Sequence, residues 1–174
     1  SVEMKIFEPL SNGLSVAFVI CILSTLTFDS SVGVWLTFSF GSTALILFVF
    51  HDSEFAKPKN VFFGHLISIT IGILFNQYIG ISAISLGLSV GLCVTTMMYL
   101  KIVHPPAAAN PLIALFADVS YEFILFPIVS GSIVLIVLSS FINRTVLGRK
   151  PSNLKKLSKN LKLGHKKTKK NKEV

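Results

Sequence analysis

Long apolar runs follow one another between residues 10 and 143 and are separated by short polar turns. A helix needs about 20 residues to cross the hydrocarbon core of a bilayer, so each run fits one membrane element. The runs predict an all-α, polytopic helical membrane protein with about six membrane elements. These elements are predicted at 10–28, 32–50, 61–79, 81–100, 102–117 and 121–143.

Two of the predicted elements are short or broken. The second contains Gly33 and Gly41, and the fifth contains His104-Pro105-Pro106 and Asn110-Pro111. Proline lacks a backbone N–H and glycine is permissive, so both residue types interrupt helices. The fifth element could also be a re-entrant loop, which would reverse the topology after it.

Composition excludes an ordinary soluble domain. Hydrophobic residues make up 52% of the chain, charged residues only 14%, and the mean hydropathy is +0.72. A soluble domain carries about 25% charged residues. A soluble protein could not hide five or six such apolar runs from water.

Basic residues predict the orientation and the domain boundaries. All 16 Lys and Arg fall on one side of a six-element topology, and twelve of them lie between Arg144 and Lys172. Because Lys and Arg accumulate in cytoplasmic loops, both termini are expected to be cytoplasmic, in a multi-pass protein of the plasma membrane. The predicted parts are a cytoplasmic segment 1–9, a transmembrane domain 10–143 and a basic cytoplasmic tail 144–174.

A weak internal repeat accompanies this pattern. A shift of 67 residues aligns Gly13 with Gly80 and Gly64 with Gly131, which gives repeat units at about 13–76 and 80–143. Units of three elements would be inverted relative to each other, and transporter sites lie between such units. Chance alignment of apolar sequence is the alternative.

Small and hydroxyl-bearing residues lie within the second element. Gly41 would allow the helix to open, and the hydroxyls could bind a ligand or bond to their own helix. Ordinary packing of small residues between membrane helices is the alternative, and for this motif alone it is favoured. The candidate binding residues are Ser39, Gly41, Ser42 and Thr43.

The fifth element carries the most informative motif. A regular helix cannot pass through His104-Pro105-Pro106, and irregular backbone at membrane depth must be covered by protein or line a cavity. A helix beginning near Ala107 would direct free N–H groups at that cavity and attract an anion. The candidate binding residues here are His104, Pro105, Pro106, Ala107 and Asn110. A proline-bent connector at the membrane interface is the alternative.

Polar residues also open the third element. Asn60 is predicted to cap this helix, and His65 lies one turn further in. A histidine at membrane depth is a candidate functional residue, whereas a satisfied structural histidine is the alternative.

No enzyme motif is recognised in the chain, so catalytic activity, cofactors and a metal site are not expected. Lysines alternate with leucines in the tail, as in a helix that lies on anionic lipid head groups. Nucleic-acid binding is not expected, because proximity to the membrane already explains the charge.

The motifs together resemble those of the HPP family of integral membrane proteins. The resemblance rests on Phe40 to Ala44, Pro58-x-Asn60 with Gly64-His65 and Ser68, His104 to Leu112, and Asn143-Arg144, and it spans about 30–145. Ala108 stands where family members usually have glycine, and the family is usually described with four spans.

Plant and cyanobacterial members of that family are associated with nitrite transport, so the resemblance implies nitrite or another small monovalent anion as the substrate. The expected function is transport of that anion through a site between the broken elements, with His65 or His104 as a proton-linked donor. The alternative is an accessory subunit of a larger membrane protein complex, and a homo-oligomer is also compatible.

Overall fold

The computed structural model describes residues 2–29 and 35–149, and within this part it is helical, with no β-strand. Three shorter helical segments accompany the α-helices: 3₁₀ turns at Glu54–Ala56 and Pro105–Ala109, and a π-helical segment at Ile124–Val129. The α-helices are α1 (Val2–Asp29), α2 (Ser39–Val49), α3 (Pro58–Tyr78), α4 (Ala83–Tyr99), α5 (Asn110–Phe116) and α6 (Ser130–Thr145). The all-α prediction is therefore confirmed.

The distribution of polar and apolar side chains is that of a membrane protein. Phe7–Asp29, Pro58–Tyr78 and Ile124–Thr145 are long and apolar enough to cross a bilayer, and α2 and α4 are shorter apolar helices. Large apolar side chains such as Phe18 and Leu88 are more than half exposed, whereas His65 and His104 are completely buried. Lipid, not water, suits such a surface.

The fifth predicted element runs beside α3 from its beginning to its end. Near the start of α3, the Asn60 side chain reaches the carbonyl oxygen of Val103. Near its end, Asn76 donates a hydrogen bond to Asp118 at 2.7 Å. The segment between Val103 and Asp118 therefore runs parallel to α3, a helix of about 30 Å, and does not turn back along it.

The predicted break at Gly41 is wrong. Helix α2 begins only at Ser39 and continues without interruption to Val49. A glycine lowers helix stability by about 1 kcal/mol but does not prevent helical geometry. Gly33 lies outside the described residues.

The sixth predicted element is distorted where no break was predicted. Phe126 has extended backbone angles (φ −128°, ψ 116°) inside the helical segment before α6. The residue before a proline is pushed away from helical geometry, and Pro127 is that proline. Within the described residues, irregular backbone therefore interrupts the fifth and the sixth elements.

The chain divides into two units, Ser1–Ser140 and Phe141–Val174, and the described part of the second unit ends at Arg149. Within it, Arg149 Nη1 donates a hydrogen bond to Asn143 Oδ1 at 2.7 Å. The predicted lipid-binding tail lies almost entirely outside the described residues.

Two glycines allow a reciprocal contact between the predicted repeat units. A Cβ on Gly64 of α3 would lie 2.9 Å from the Cβ of His104 in the fifth element. A Cβ on Gly131 of α6 would lie 2.5 Å from the carbonyl oxygen of Trp35, before α2, and would also meet the Phe40 ring. The third element of each predicted unit thus packs on the second element of the other.

A third glycine permits α3 and α5 to approach each other, which leads to a prediction about stability. A Cβ on Gly72 would lie 2.6 Å from Pro111 Cα and 2.7 Å from Ala114 Cβ. We expect Gly72→Ala to destabilise the protein by about 1–3 kcal/mol, because the backbone of α5 would have to move. Thermal unfolding in detergent measures the effect.

Gly87 of α4 provides the matched control, because no atom of the described chain lies within 4 Å of a Cβ placed there. Gly87→Ala should leave the unfolding temperature unchanged or raise it, through better helix propensity. Equal losses in both variants would contradict the close approach at Gly72.

Candidate functional site

A cluster of polar side chains lies between α2, α3, the 3₁₀ turn and α5. Its five members are completely buried, although each carries groups that need hydrogen-bond partners. Burial of such groups at membrane depth is costly unless they are paired. The polar cluster consists of Thr43, His65, Ser68, His104 and Asn110.

The Thr43 hydroxyl is the centre of the polar cluster. Its oxygen lies 2.8 Å from His65 Nε2 and 3.1 Å from His104 Nε2. The carbonyl oxygen of Ser39, one turn earlier in α2, lies 3.0 Å away. A single hydroxyl therefore joins two histidines from different elements.

The far side of each imidazole has a partner that fixes its tautomer. His104 Nδ1 lies 2.8 Å from the carbonyl oxygen of Phe55, an acceptor, so this nitrogen carries the proton. His65 Nδ1 lies 3.0 Å from Asn110 Nδ2, a donor, so this nitrogen is unprotonated. The tautomers are assigned from these partners.

The assignments produce one directional chain of hydrogen bonds. The Asn110 amide donates to His65 Nδ1, and His65 Nε2 donates to Thr43 Oγ1. The Thr43 hydroxyl donates to His104 Nε2, and His104 Nδ1 donates to the Phe55 carbonyl. Both histidines are neutral in this arrangement, and every ring nitrogen is satisfied.

The acceptors around Nδ2 favour one orientation of the Asn110 side chain. Its Nδ2 has two hydrogens for three nearby acceptors, namely His65 Nδ1, Ser68 Oγ at 2.8 Å and the carbonyl oxygen of His65 at 3.2 Å. Its buried Oδ1 has no partner among the described residues. A turned amide would place Oδ1 against that carbonyl oxygen. The orientation of Asn110 thus determines the direction of the chain.

Asn60 supports the polar cluster but does not cap α3 as predicted. The cap position belongs to Lys57, and Pro58 is the first helical residue, where a missing N–H costs nothing. The Asn60 amide instead donates to the carbonyl oxygens of Glu54 at 2.9 Å and Val103 at 3.3 Å. It therefore joins the loop before α3 to the segment that carries His104.

Two adjoining cavities lie beside the polar cluster and share Ser42 and Ala109. The loop-side cavity, about 640 Å³, is lined by apolar side chains together with Pro105, Pro106 and Ser53. The α5-side cavity, about 550 Å³, is lined by apolar side chains together with Ser39. The buried Ser39 hydroxyl has no hydrogen-bond partner in the described part of the chain.

The structure brings most of the candidate residues to this region. Thr43, His65, His104 and Asn110 are hydrogen-bonded in the polar cluster, whereas Ser39, Ser42, Pro105 and Pro106 line the cavities. Ala107 is buried in an apolar cluster with Met97 and Ile102. Gly41 is exposed, and no described atom lies within 4 Å of a Cβ placed there.

The predicted anion cradle of free N–H groups near Ala107 is not formed. The chain makes a 3₁₀ turn at that point, and the Ala107 N–H is bonded to the carbonyl oxygen of His104 at 3.0 Å. Helix α5 begins only at Asn110, whose N–H is bonded to Ala107. Within the described residues, no three His, Cys, Asp or Glu side chains come together to hold a metal ion.

Two contributors to the polar cluster were not among the candidate residues. Ser68 follows His65 by three residues, so helical spacing could have placed it on the same face. Phe55 contributes only its carbonyl oxygen, for which the side-chain sequence gives no signal.

The fold and the buried cluster define a polytopic helical membrane protein with polar groups at membrane depth. Residues 3–151 match the model of the HPP transmembrane region. The chain belongs to the HPP family, as the motifs suggested.

Relatives with curated descriptions are also membrane proteins. One transmembrane protein of Dictyostelium discoideum is 26% identical over 125 residues, which is 67% of this chain and 40% of the relative. A second from the same organism is 26% identical over 113 residues, or 60% of this chain and 40% of the relative. The chain thus spans well under half the length of these relatives. No solved structure matches the chain.

Proposed function

We propose that this protein transports a small monovalent anion across its membrane, with nitrite as the first substrate to test. The observation that carries the proposal is the buried polar cluster, because ionisable residues inside membrane proteins mark ion and proton pathways. His65 and His104 belong to α3 and to the broken fifth element, and both are completely buried.

The surroundings of the polar cluster are compatible with this function. The loop-side cavity reaches Pro105 and Pro106, which directly follow His104, and Ser42, which precedes Thr43. Its lining is otherwise mostly apolar, so a bound anion would need a charge from the polar cluster. Nitrite comes from the family resemblance, whereas the need for a charged partner comes from the lining.

Uptake by proteoliposomes tests the function. Full-length protein in liposomes should accumulate nitrite faster than empty liposomes of the same lipid composition, and chloride and nitrate serve as competing anions. A rate equal to that of empty liposomes would contradict transport of nitrite. Stable co-purification with unrelated subunits in mild detergent, together with no uptake of any anion, would favour the accessory-subunit alternative.

A further inference from the structure

The Thr43 hydroxyl has two acceptors within reach, and this gives the polar cluster room for one more proton. His104 Nε2 lies 3.1 Å from Thr43 Oγ1, and the Ser39 carbonyl oxygen lies 3.0 Å from the same atom. A hydroxyl proton rotates freely about its C–O bond, and the oxygen can accept two hydrogen bonds while donating one. Thr43 can therefore donate to either acceptor with no movement of heavy atoms.

A proton on His104 Nε2 would leave all four ring nitrogens and the Thr43 hydroxyl with hydrogen-bond partners. The new N–H would donate to Thr43 Oγ1, which already accepts from His65 Nε2. The Thr43 hydroxyl would then donate to the carbonyl oxygen of Ser39. His104 Nδ1 would continue to donate to Phe55. Hydrogen bonds from a charged imidazole are stronger than those from a neutral one.

His65 has no such freedom. Its unprotonated Nδ1 faces the Asn110 amide at 3.0 Å, so a proton added there would meet a donor. The amide cannot turn without placing its oxygen against the His65 carbonyl oxygen, now 3.2 Å from Nδ2. A second proton on His65 would therefore require the Asn110 amide to turn, whereas a proton on His104 requires only the Thr43 hydroxyl to rotate.

We propose that His104 is the proton-binding residue of this site. The proton is accommodated when the Thr43 hydroxyl rotates from His104 Nε2 to the carbonyl oxygen of Ser39. The proton comes from water, and the Thr43 proton stays on its own oxygen. The net result is one positive charge on His104, which is buried directly before Pro105 and Pro106, and these two prolines line the loop-side cavity. An anion in that cavity would then have a cationic partner, which couples anion binding to proton binding.

The elements packed against His104 bring few other ionisable groups. His65 of α3 is its ring neighbour, with centroids 5.0 Å apart. The loop that contains Phe55 brings Glu54 and Lys57, which form an ion pair with each other. Helix α4 brings the Cys93 thiol, in the same apolar cluster as Ala107. A second charge on His65 would face the first, so we expect one proton per site.

The protonation states can be read directly by ¹⁵N nuclear magnetic resonance of the full chain, labelled at histidine, in lipid nanodiscs. At neutral pH, His104 should show the Nδ1–H tautomer and His65 the Nε2–H tautomer. As the pH falls, His104 alone should acquire the signature of the doubly protonated ring. Protonation of His65 first, or the opposite tautomers, would overturn the proposal.

Two variants of Thr43 test the rotating hydroxyl. Thr43→Val removes it at nearly constant shape, so His104 should bind protons at least about tenfold more weakly, since a hydrogen bond to a charged group contributes about 1.5–3 kcal/mol. Thr43→Ser keeps the hydroxyl and should titrate as the parent does. Unchanged titration in Thr43→Val would contradict the mechanism. If that variant does not fold, the tautomers of the parent still decide the proposal.

The coupling to an anion rests on the proposed function, and its test separates the two. An inward proton gradient should accelerate protein-dependent nitrite uptake, after subtraction of uptake by empty liposomes under the same gradient. Equal rates of protein-dependent nitrite uptake with and without the proton gradient would contradict the coupling but remain compatible with transport. No uptake, with the expected histidine spectra, would overturn transport but leave proton binding at His104 standing.

Discussion

His104→Ala is expected to reduce the rate of nitrite uptake by about tenfold or more. The variant removes the side chain that would carry positive charge near the loop-side cavity. Unit charges about 8 Å apart attract each other by about 2 kcal/mol at an effective dielectric constant of about 20, and about 1.4 kcal/mol is tenfold. It also leaves the Phe55 carbonyl oxygen without its side-chain donor, now 2.8 Å away. Initial rates in proteoliposomes of matched protein content measure the effect.

A second histidine provides the matched control. His51 lies in the loop after α2, next to Asp52, with 3.5 Å between His51 Nε2 and the Asp52 carboxylate. His51→Ala should keep the parental rate, and both variants should elute as monodisperse protein from a sizing column. Parental uptake by a well-folded His104→Ala variant would show that this histidine is not needed for transport.

Much of the fold could be predicted from local sequence. In lipid, the backbone N–H and C=O groups of a segment must be paired with each other, so each long apolar run is expected to be a helix. The prolines after His104 predicted the irregular fifth element correctly, since proline cannot continue a helix hydrogen-bond pattern. The break predicted at Gly41 was wrong, because glycine permits a break in a helix but does not require one. The distortion at Phe126 was missed, although the proline that follows it carries the same signal.

Most residues of the candidate site could be predicted from sequence, but most of their contacts could not. His65, His104 and Asn110 were recognisable because polar side chains at membrane depth need partners. Their connection through Thr43 depends on the packing of α2 against two other elements, and separations of 22 and 61 residues leave no local pattern. The Phe55 carbonyl oxygen was beyond prediction for the same reason. The predicted anion site of free N–H groups does not form, because the chain makes a 3₁₀ turn, not an α-helix, at the prolines.

Asn110→Asp is expected to have the largest effect on stability, because it reverses the hydrogen-bond direction in the polar cluster. A carboxylate would place acceptors against His65 Nδ1 and the His65 carbonyl oxygen, where the amide now donates at 3.0 and 3.2 Å. His65 would have to protonate Nδ1, and its tautomeric change would leave Thr43 with one proton for two unprotonated nitrogens. Burial of the carboxylate costs several kcal/mol in desolvation, and a second proton taken up by His65 would offset only part of that cost.

Asn110→Leu separates charge from shape at the same position. It leaves His65 Nδ1 without a donor, which costs about 1–3 kcal/mol, but it adds no charge and leaves Ser68 bonded to the His65 carbonyl oxygen at 3.0 Å. The half-buried Asn76 is the control outside the polar cluster, and Asn76→Leu should cost about 0.5–1.5 kcal/mol, because it removes one hydrogen bond to Asp118. Unfolding in mixed micelles with added denaturant measures all three. If Asn110→Asp proves as stable as Asn110→Leu, the amide does not set the direction of the chain, and the tautomer assignment that places the proton on His104 loses its basis.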